Sequence, residues 1–340
     1  MSPRPNRRHL LAGAAALVLP GLLPGLARAQ GQAPGQAPGG GGFASRPIRL
    51  VIGGPPGSAP DAAARLMGEA LSVRWRQAVV VENRPAANGN IAAQTVARAA
   101  PAGNTLLLAQ ASILVLNEGL MRDVPFNTDR DFAPVSMLMN TPFLLAARPD
   151  LPASNLTELR ALARERGGRM TFATSSPANL PRFCVEMLKK ALGMEMSNVP
   201  YSTTAGALQD TIMGRVDLVI DGTPVITPQV RAGALKALCV TSPGRFPMLE
   251  DIATAAETVP GFSSMGWFGM VGPKAMPAAT VDRIADDLRA VLEIPDIRQR
   301  LLRDFGAEVV ASPPADFARF LARERETYRG LIKEVGASVD

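Results

Sequence analysis

Short apolar runs alternate with helical patterns along most of this chain. Runs at 48–52, 78–82, 105–109, 133–138, 143–147, 170–173, 218–220 and 235–241 carry β-branched or aromatic residues and predict strands. Between many of them a 3.6-residue apolar period predicts helices at 59–74, 90–99, 156–166, 180–192, 204–213 and 227–232. The tail reads as helix at 278–292, 295–305 and 314–335, with no long strand. This alternation predicts an α/β fold whose sheets are covered on both faces. No repeat of solenoid length is present.

Two stretches stand out against that pattern. In Arg46-Pro-Ile-Arg-Leu-Val-Ile-Gly-Gly-Pro-Pro-Gly-Ser-Ala-Pro-Asp61 an apolar strand stops in a Gly/Pro turn and feeds an alanine-rich helix. Such a turn leaves the first helical N–H groups pointing at one spot, and the helix dipole makes that spot favourable for an anion. Met170-Thr-Phe-Ala-Thr-Ser-Ser-Pro177 repeats the design before an amphipathic helix. Facing each other, the two turns would clamp a carboxylate. Ser58 with Asp61 three places on predicts a capping box, and Ser176 before Pro177 predicts a second helix start. The plainer reading of both is capping with nothing bound.

The ends of the chain change the charge argument. Arg4, Arg7 and Arg8 precede an apolar stretch from Leu10 to Leu26, and Ala27-Arg-Ala29 fits a small-x-small cleavage site. Residues 1–29 are therefore expected to be an export signal. Pro20 and Pro24 break the apolar run and argue against a membrane anchor. Arg7-Arg8 fits a twin-arginine route, and an ordinary secretory signal fits equally. Residues 30–42, with repeated Gly-Gln-Ala-Pro, form a Gly/Pro linker expected to be disordered. The removed piece holds four arginines and no acidic residue, so its loss takes the net charge from +6 to +2. With 5% aromatics and no basic stripe, nucleic acid is not an expected partner.

The only histidine, His9, leaves with the signal. A mature chain without histidine has no Ser-His-Asp or Cys-His centre and no His-based metal site. Cys184 and Cys239 both sit in apolar patterns and read as buried thiols, although an oxidising compartment would permit a disulfide. Neither a Gly-x-Ser-x-Gly elbow nor a Walker loop occurs, and pairs such as Asp286-Asp287 read as solvated helix faces. No enzyme, metal or cofactor is expected.

Several stretches resemble the extracytoplasmic solute receptors of tripartite tricarboxylate transporters, the Bordetella uptake gene (Bug) family. They include Pro55-Pro-Gly57 with Asp61, Val79-Val-Val-Glu-Asn-Arg-Pro85, Gly89-Asn-Ile91 and Asp131-Phe-Ala-Pro-Val135. Val199-Pro-Tyr201, Gly214-Arg-Val-Asp217, Trp267-Phe-Gly269 and Phe305-Gly-Ala307 continue the match in order. The resemblance implies a two-lobed periplasmic binding protein fold of type II, the Venus flytrap, with a cleft between lobes. Lobe 1 would be 43–140 with 245–340, and lobe 2 would be 141–244. It also implies a periplasmic, monomeric receptor that carries a small carboxylate (a dicarboxylate, amino acid or aromatic acid) to the membrane subunits of such a transporter. A ligand-loaded messenger for a sensor kinase, or a secreted hydrolase or lyase on the same scaffold, are the alternatives.

Carried onto this sequence, the resemblance implies that Gly57, Ser58 and Ala59, ahead of Asp61, form the first ligand turn. Thr174, Ser175 and Ser176 form the second. The family commonly has a second glycine where Ser58 stands, and Tyr-Lys-Gly where this chain has Tyr201-Ser202-Thr203. Ser112, after the strand at 105–109, lies where α/β sheets place ligand contacts. Tyr201, Thr203, Thr204 and Asp221 complete the expected set, with Asp221 able to accept from a ligand amine or hydroxyl. A turn-forming role is the plainer reading of Asp221, and packing near the lobe junction is the reading of Trp267 and Phe268.

Overall fold

A computed structural model describes residues 46–176 and 179–338. The expected signal (1–29) and linker (30–42) lie outside them.

The first part of the chain runs β1 (Ile48–Ile52), α1 (Ala59–Trp75), β2 (Val79–Asn83), α2 (Asn90–Ala97) and β3 (Thr105–Gln110). Three short helices, α3 (Ala111–Val115), α4 (Asn117–Leu120) and α5 (Thr128–Asp131), lead into β4 (Phe132–Ala147). Next come α6 (Leu156–Arg166), β5 (Met170–Thr174), α7 (Leu180–Leu192) and β6 (Met196–Pro200). They are followed by α8 (Thr204–Ile212), β7 (Leu218–Gly222), α9 (Thr223–Arg231) and β8 (Lys236–Val240). The chain closes with β9 (Met265–Pro273), α10 (Ala278–Leu292), α11 (Pro295–Phe305), β10 (Glu308–Val309) and α12 (Pro314–Val335).

Two halves share one plan. In the first, β1 lies between β2 and β3, all parallel. In the second, β5 lies between β6 and β7, again parallel. An antiparallel strand borders each trio: β9 pairs β3, and β4 pairs β7. The order along the sheet is β2-β1-β3-β9-β4-β7-β5-β6, with β8 and β10 also paired to β4. Each half therefore has a point where successive strands depart in opposite directions, between β1 and β3 and between β5 and β7. Open α/β sheets place ligands at the carboxyl ends of strands at such points.

β4 corrects the expectation of separate strands at 133–138 and 143–147. It is one 16-residue strand that pairs with β9 through Pro142↔Met265 and with β7 from Phe143↔Gly222 onward. Asn140-Thr141-Pro142 reads as a break by composition. Yet Asn140, Thr141 and Pro142 pair in register with Trp267, Gly266 and Met265, and the strand carries the chain from one half to the other. β9 was not expected either, because Gly266, Gly269, Gly272 and Pro273 dilute its apolar pattern. Gly269 is there to admit Phe317, whose ring occupies the space a Cβ would need. β6, a polar segment with no apolar run, takes its place as the outermost strand beside β5.

One core joins both halves. Val51, Leu107, Phe132 and Val271 from the first belong to the same buried cluster as Leu145, Phe172, Phe183 and Ile220 from the second. Helix α12 links them: Phe317 meets Trp267 edge-on at 5.7 Å, and Tyr328 meets Phe183 of α7 at 6.1 Å. Cys184 and Cys239 are buried and unpaired. Burial pushes the Cys184 thiol up to about 12 and raises that of Cys239 further. Among the described residues no helix is long and apolar enough to cross a membrane.

Candidate functional site

A cavity of about 340 Å³ opens where the two reversal points face each other. It is bounded by the segments that follow β1, β3, β5 and β7: Ala59, Gln110 to Ser112, Ser175 with Asn179, and Asp221 with Gly222. β4 and β9 supply its floor through Thr141, Phe143, Gly266 and Trp267.

The first turn is built around Asp61. Gly57 adopts a positive φ of 79°, and its N–H donates to Asp61 Oδ2 at 2.9 Å. Asn83 donates from one amide to both Gly54 O and Asp61 Oδ1, each at 3.0 Å. Arg65, one helical turn on, pairs with the same carboxylate at 2.9 Å. The Arg65 hydrogen bond, with those from Gly57 and Asn83, holds the Asp61 carboxyl at about 2 despite its burial.

This arrangement corrects the expected capping box. Ser58 stands at the cap position, but its hydroxyl donates to Pro55 O at 2.6 Å and its N–H to the same oxygen at 3.2 Å. Asp61 reaches past Ser58 to Gly57. The amides of Gly57 and Ser58 are thus consumed inside the turn, and Asp61 is buried beneath it. None of the three lines the cavity, whereas Ala59 does. The Ala59 N–H makes no hydrogen bond among the described residues, and Pro60 next to it has no N–H to offer.

The second turn is displaced in the same sense. Thr174 is fully buried, and its hydroxyl lies 3.0 Å from Asn198 Oδ1 and 3.1 Å from Ser176 O, which ties β5 to β6. Helix α7 spans Leu180–Leu192, the expected 180–192, with Asn179 as its cap; the start expected at Pro177 lies outside the described residues. Asn179 Oδ1 accepts the Arg182 N–H at 3.1 Å, and its Nδ2 donates to Ser175 Oγ at 3.1 Å. Ser175 and Asn179 line the cavity; Thr174 and Ser176 do not.

The remaining expected residues divide between lining and support. Ser112 and Asp221 line the cavity. Asp221 Oδ2 accepts from the Thr204 hydroxyl at 2.8 Å and Oδ1 from the Gly222 N–H at 2.8 Å, so Thr204 stands behind Asp221. Thr203 caps α8 by accepting from the Gly206 N–H at 3.2 Å. Tyr201 donates its hydroxyl to Asp210 Oδ2 at 2.7 Å, and burial together with that carboxylate pushes the phenol up to about 12. Tyr201, Thr203 and Thr204 therefore shape the fold around the site without lining it.

Sequence reasoning missed Asn179, Val225 and Phe305. One signal was available for the first: Ser58-Ala-Pro60, Asn179-Leu-Pro181 and Gly222-Thr-Pro224 share a cap-x-Pro pattern, and each starts a helix that borders the cavity. Phe305 ends α11, where Gly306 packs against Thr223 and Pro224 at the start of α9. Trp267 faces two ways. It is one of the cavity's lining residues, while its indole N–H donates to Glu324 Oε2 at 3.1 Å, and burial raises the Glu324 carboxyl.

The electrostatics follow from this geometry. Three helices of nine residues or more, α1, α7 and α9, present their amino ends to one cavity. Each end carries roughly half a positive charge in unpaired N–H groups. No lysine, arginine or histidine lines the cavity among the described residues. Asp304, at its border, is paired with Arg303 at 2.7 Å. Nor does any group of three or more His, Cys, Asp or Glu side chains there suit a metal ion. The arrangement can hold an anion by oriented dipoles.

A family model described as "Tripartite tricarboxylate transporter family receptor" matches residues 63–337. The chain is similar to a UPF0065 protein from the tcbD-tcbE intergenic region of a Pseudomonas species. That protein is 33% identical over 294 residues, 86% of this chain and 87% of its own length. Among solved structures, the chain resembles R. palustris Rpa4515 with adipate, at 31% identity and a TM-score of 0.74, over 87% of this chain and 99% of that one. MatC from Rhodopseudomonas palustris with bound malate is 28% identical, with a TM-score of 0.70 over 85% of this chain and 100% of that one.

Proposed function

The chain belongs to the tripartite tricarboxylate transporter receptor family, and on that premise we propose that its cavity captures a small carboxylate solute for such a transporter. The family is one of periplasmic receptors with the two-lobed binding fold. What carries the reading for this chain is the convergence of three helix amino ends on a cavity without a cationic side chain. Adipate and malate in the two similar structures are both carboxylates.

In this reading the head group accepts from the Ala59 N–H on one side and from donors at Ser175 and Asn179 on the other. Lobe 1 is 43–140 with 245–340 and lobe 2 is 141–244, with β4 and β9 as the hinge. Closure is a population shift driven by differential affinity, and micromolar binding, about 8 kcal/mol, is enough to drive it. The closed, monomeric form is what the membrane subunits recognise. Binding proceeds without turnover.

A thermal-shift screen of dicarboxylates, amino acids and aromatic acids, followed by calorimetry, tests this. Stabilisation by a carboxylate, with the acid recovered unchanged after incubation, is the expected result. Indifference to every acid, or conversion of one, contradicts it.

A further inference from the structure

The cavity wall is more selective than its carboxylate-binding end. Phe143 from β4, Trp267 and Phe268 from β9, Leu180 from α7, Val225 from α9 and Phe305 from α11 present apolar surface to it. The one polar atom among these side chains, Trp267 Nε1, is engaged by Glu324 at 3.1 Å. Both acidic side chains at the cavity already have partners: Arg303 for Asp304, and Thr204 with the Gly222 amide for Asp221. Cationic side chains are missing from the lining among the described residues.

We propose, resting on the receptor reading, that the ligand is a carboxylate whose head group leads into an apolar body, aliphatic or aromatic. A short hydroxy-dicarboxylate fits this wall poorly. Past the polar groups at Gln110, Ser112, Thr141 and Asn179, its hydroxyl and second carboxylate would leave water for aromatic rings that return no hydrogen bond. A chain of methylenes or a ring, by contrast, gains from each carbon removed from water. Each methylene buried against such a wall tightens binding about fourfold.

Calorimetric titration of the signal-free chain with propanoate, butanoate, pentanoate and hexanoate, alongside adipate and malate, tests the proposal. The expected result is a stepwise gain of about fourfold per methylene, with hexanoate at least tenfold tighter than malate and tighter than adipate. Val225 is 42% exposed, so Val225→Ser should fold normally. It should weaken hexanoate about fourfold while leaving the melting temperature of the ligand-free protein unchanged. A flat series, or malate as the tightest acid, overturns the proposal and leaves the receptor reading standing. Failure of every acid to bind overturns both.

Discussion

The N–H of Gly57 donates to Asp61 Oδ2 at 2.9 Å, so the first turn of α1 fastens the loop that precedes it. The carboxyl of Asp61 sits at about 2 in the folded chain against an ordinary 3.8. A depressed folded value means that this contribution is present above about pH 4 and is lost as pH falls toward 2. Its size is about 2 kcal/mol. Asp61→Asn is therefore expected to lower the melting temperature by roughly 3–6 °C at pH 7 and by much less at pH 2. Melts at the two pH values check this, and a pH-independent difference contradicts it.

Gly306 has no room for a side chain. A Cβ there would lie 3.0 Å from Pro224 Cγ and collide with the Thr223 hydroxyl. Both residues open α9, while Phe305 and Val225 on either side of the contact line the cavity. Gly306→Ala is expected to hold α9 and α11 apart and weaken ligand binding about tenfold, close to 1.4 kcal/mol. Gly336 ends α12 with a similar φ of 60° and open space around it. Gly336→Ala carries only the left-handed backbone cost of about 1 kcal/mol and should leave affinity alone. Equal affinities in the two variants would refute the contact's role.

Trp267→Phe keeps a ring beside Phe317 and Phe320 but removes the donor to Glu324. Leaving that half-buried carboxylate without its indole donor costs about 1 kcal/mol. Because burial already raises the Glu324 carboxyl, the loss should be larger at pH 7 than at pH 4, where the neutral acid tolerates the change. The only other tryptophan, Trp75, donates to Asp287 at 2.8 Å and is not among the cavity residues. Ligand should thus alter tryptophan emission in Trp75→Phe and not in Trp267→Phe.

Cys184 and Cys239 are buried, and burial keeps both thiols protonated. Ellman titration should find no reactive thiol in the native protein and two after denaturation without reductant. Fewer than two in the denatured chain would reveal a disulfide.

Much of the fold was legible because it rests on local signals. The strand–turn–helix units at 48–61 and 170–192 announce themselves by an apolar run, a Gly/Ser/Pro turn and a helical period. The cavity follows from them, since both units end on it. The lining was legible only in part: Ala59, Ser112, Ser175 and Asp221 were expected there and line it. Of the two expected turns, Gly57 and Ser176 do not line the cavity, and Ala59 and Ser175 do. At Gly57 the reason is competition from Asp61, whose carboxylate captures the amide, held there by Arg65 one turn on and by the distant Asn83. Strand β9 was hidden because its glycines answer to Phe317, a residue far along the chain. Phe305 and Val225 meet only through the fold, and no local pattern joins them.

In the proposed complex main-chain amides, with no cationic side chain, hold the ligand's head group. Ala59→Pro tests it most directly. Proline is tolerated at the first helical position, and Ser58 before it, at φ −74° and ψ 163°, already has the backbone that precedes a proline. The substitution therefore replaces one N–H by a ring methylene without changing the backbone that leads into the helix. Calorimetry with the tightest acid from the thermal-shift screen should show affinity falling about ten- to a hundredfold, the worth of one hydrogen bond to a charged group, with the ligand-free melting temperature unchanged. Unchanged affinity would show that the Ala59 amide does not hold the head group.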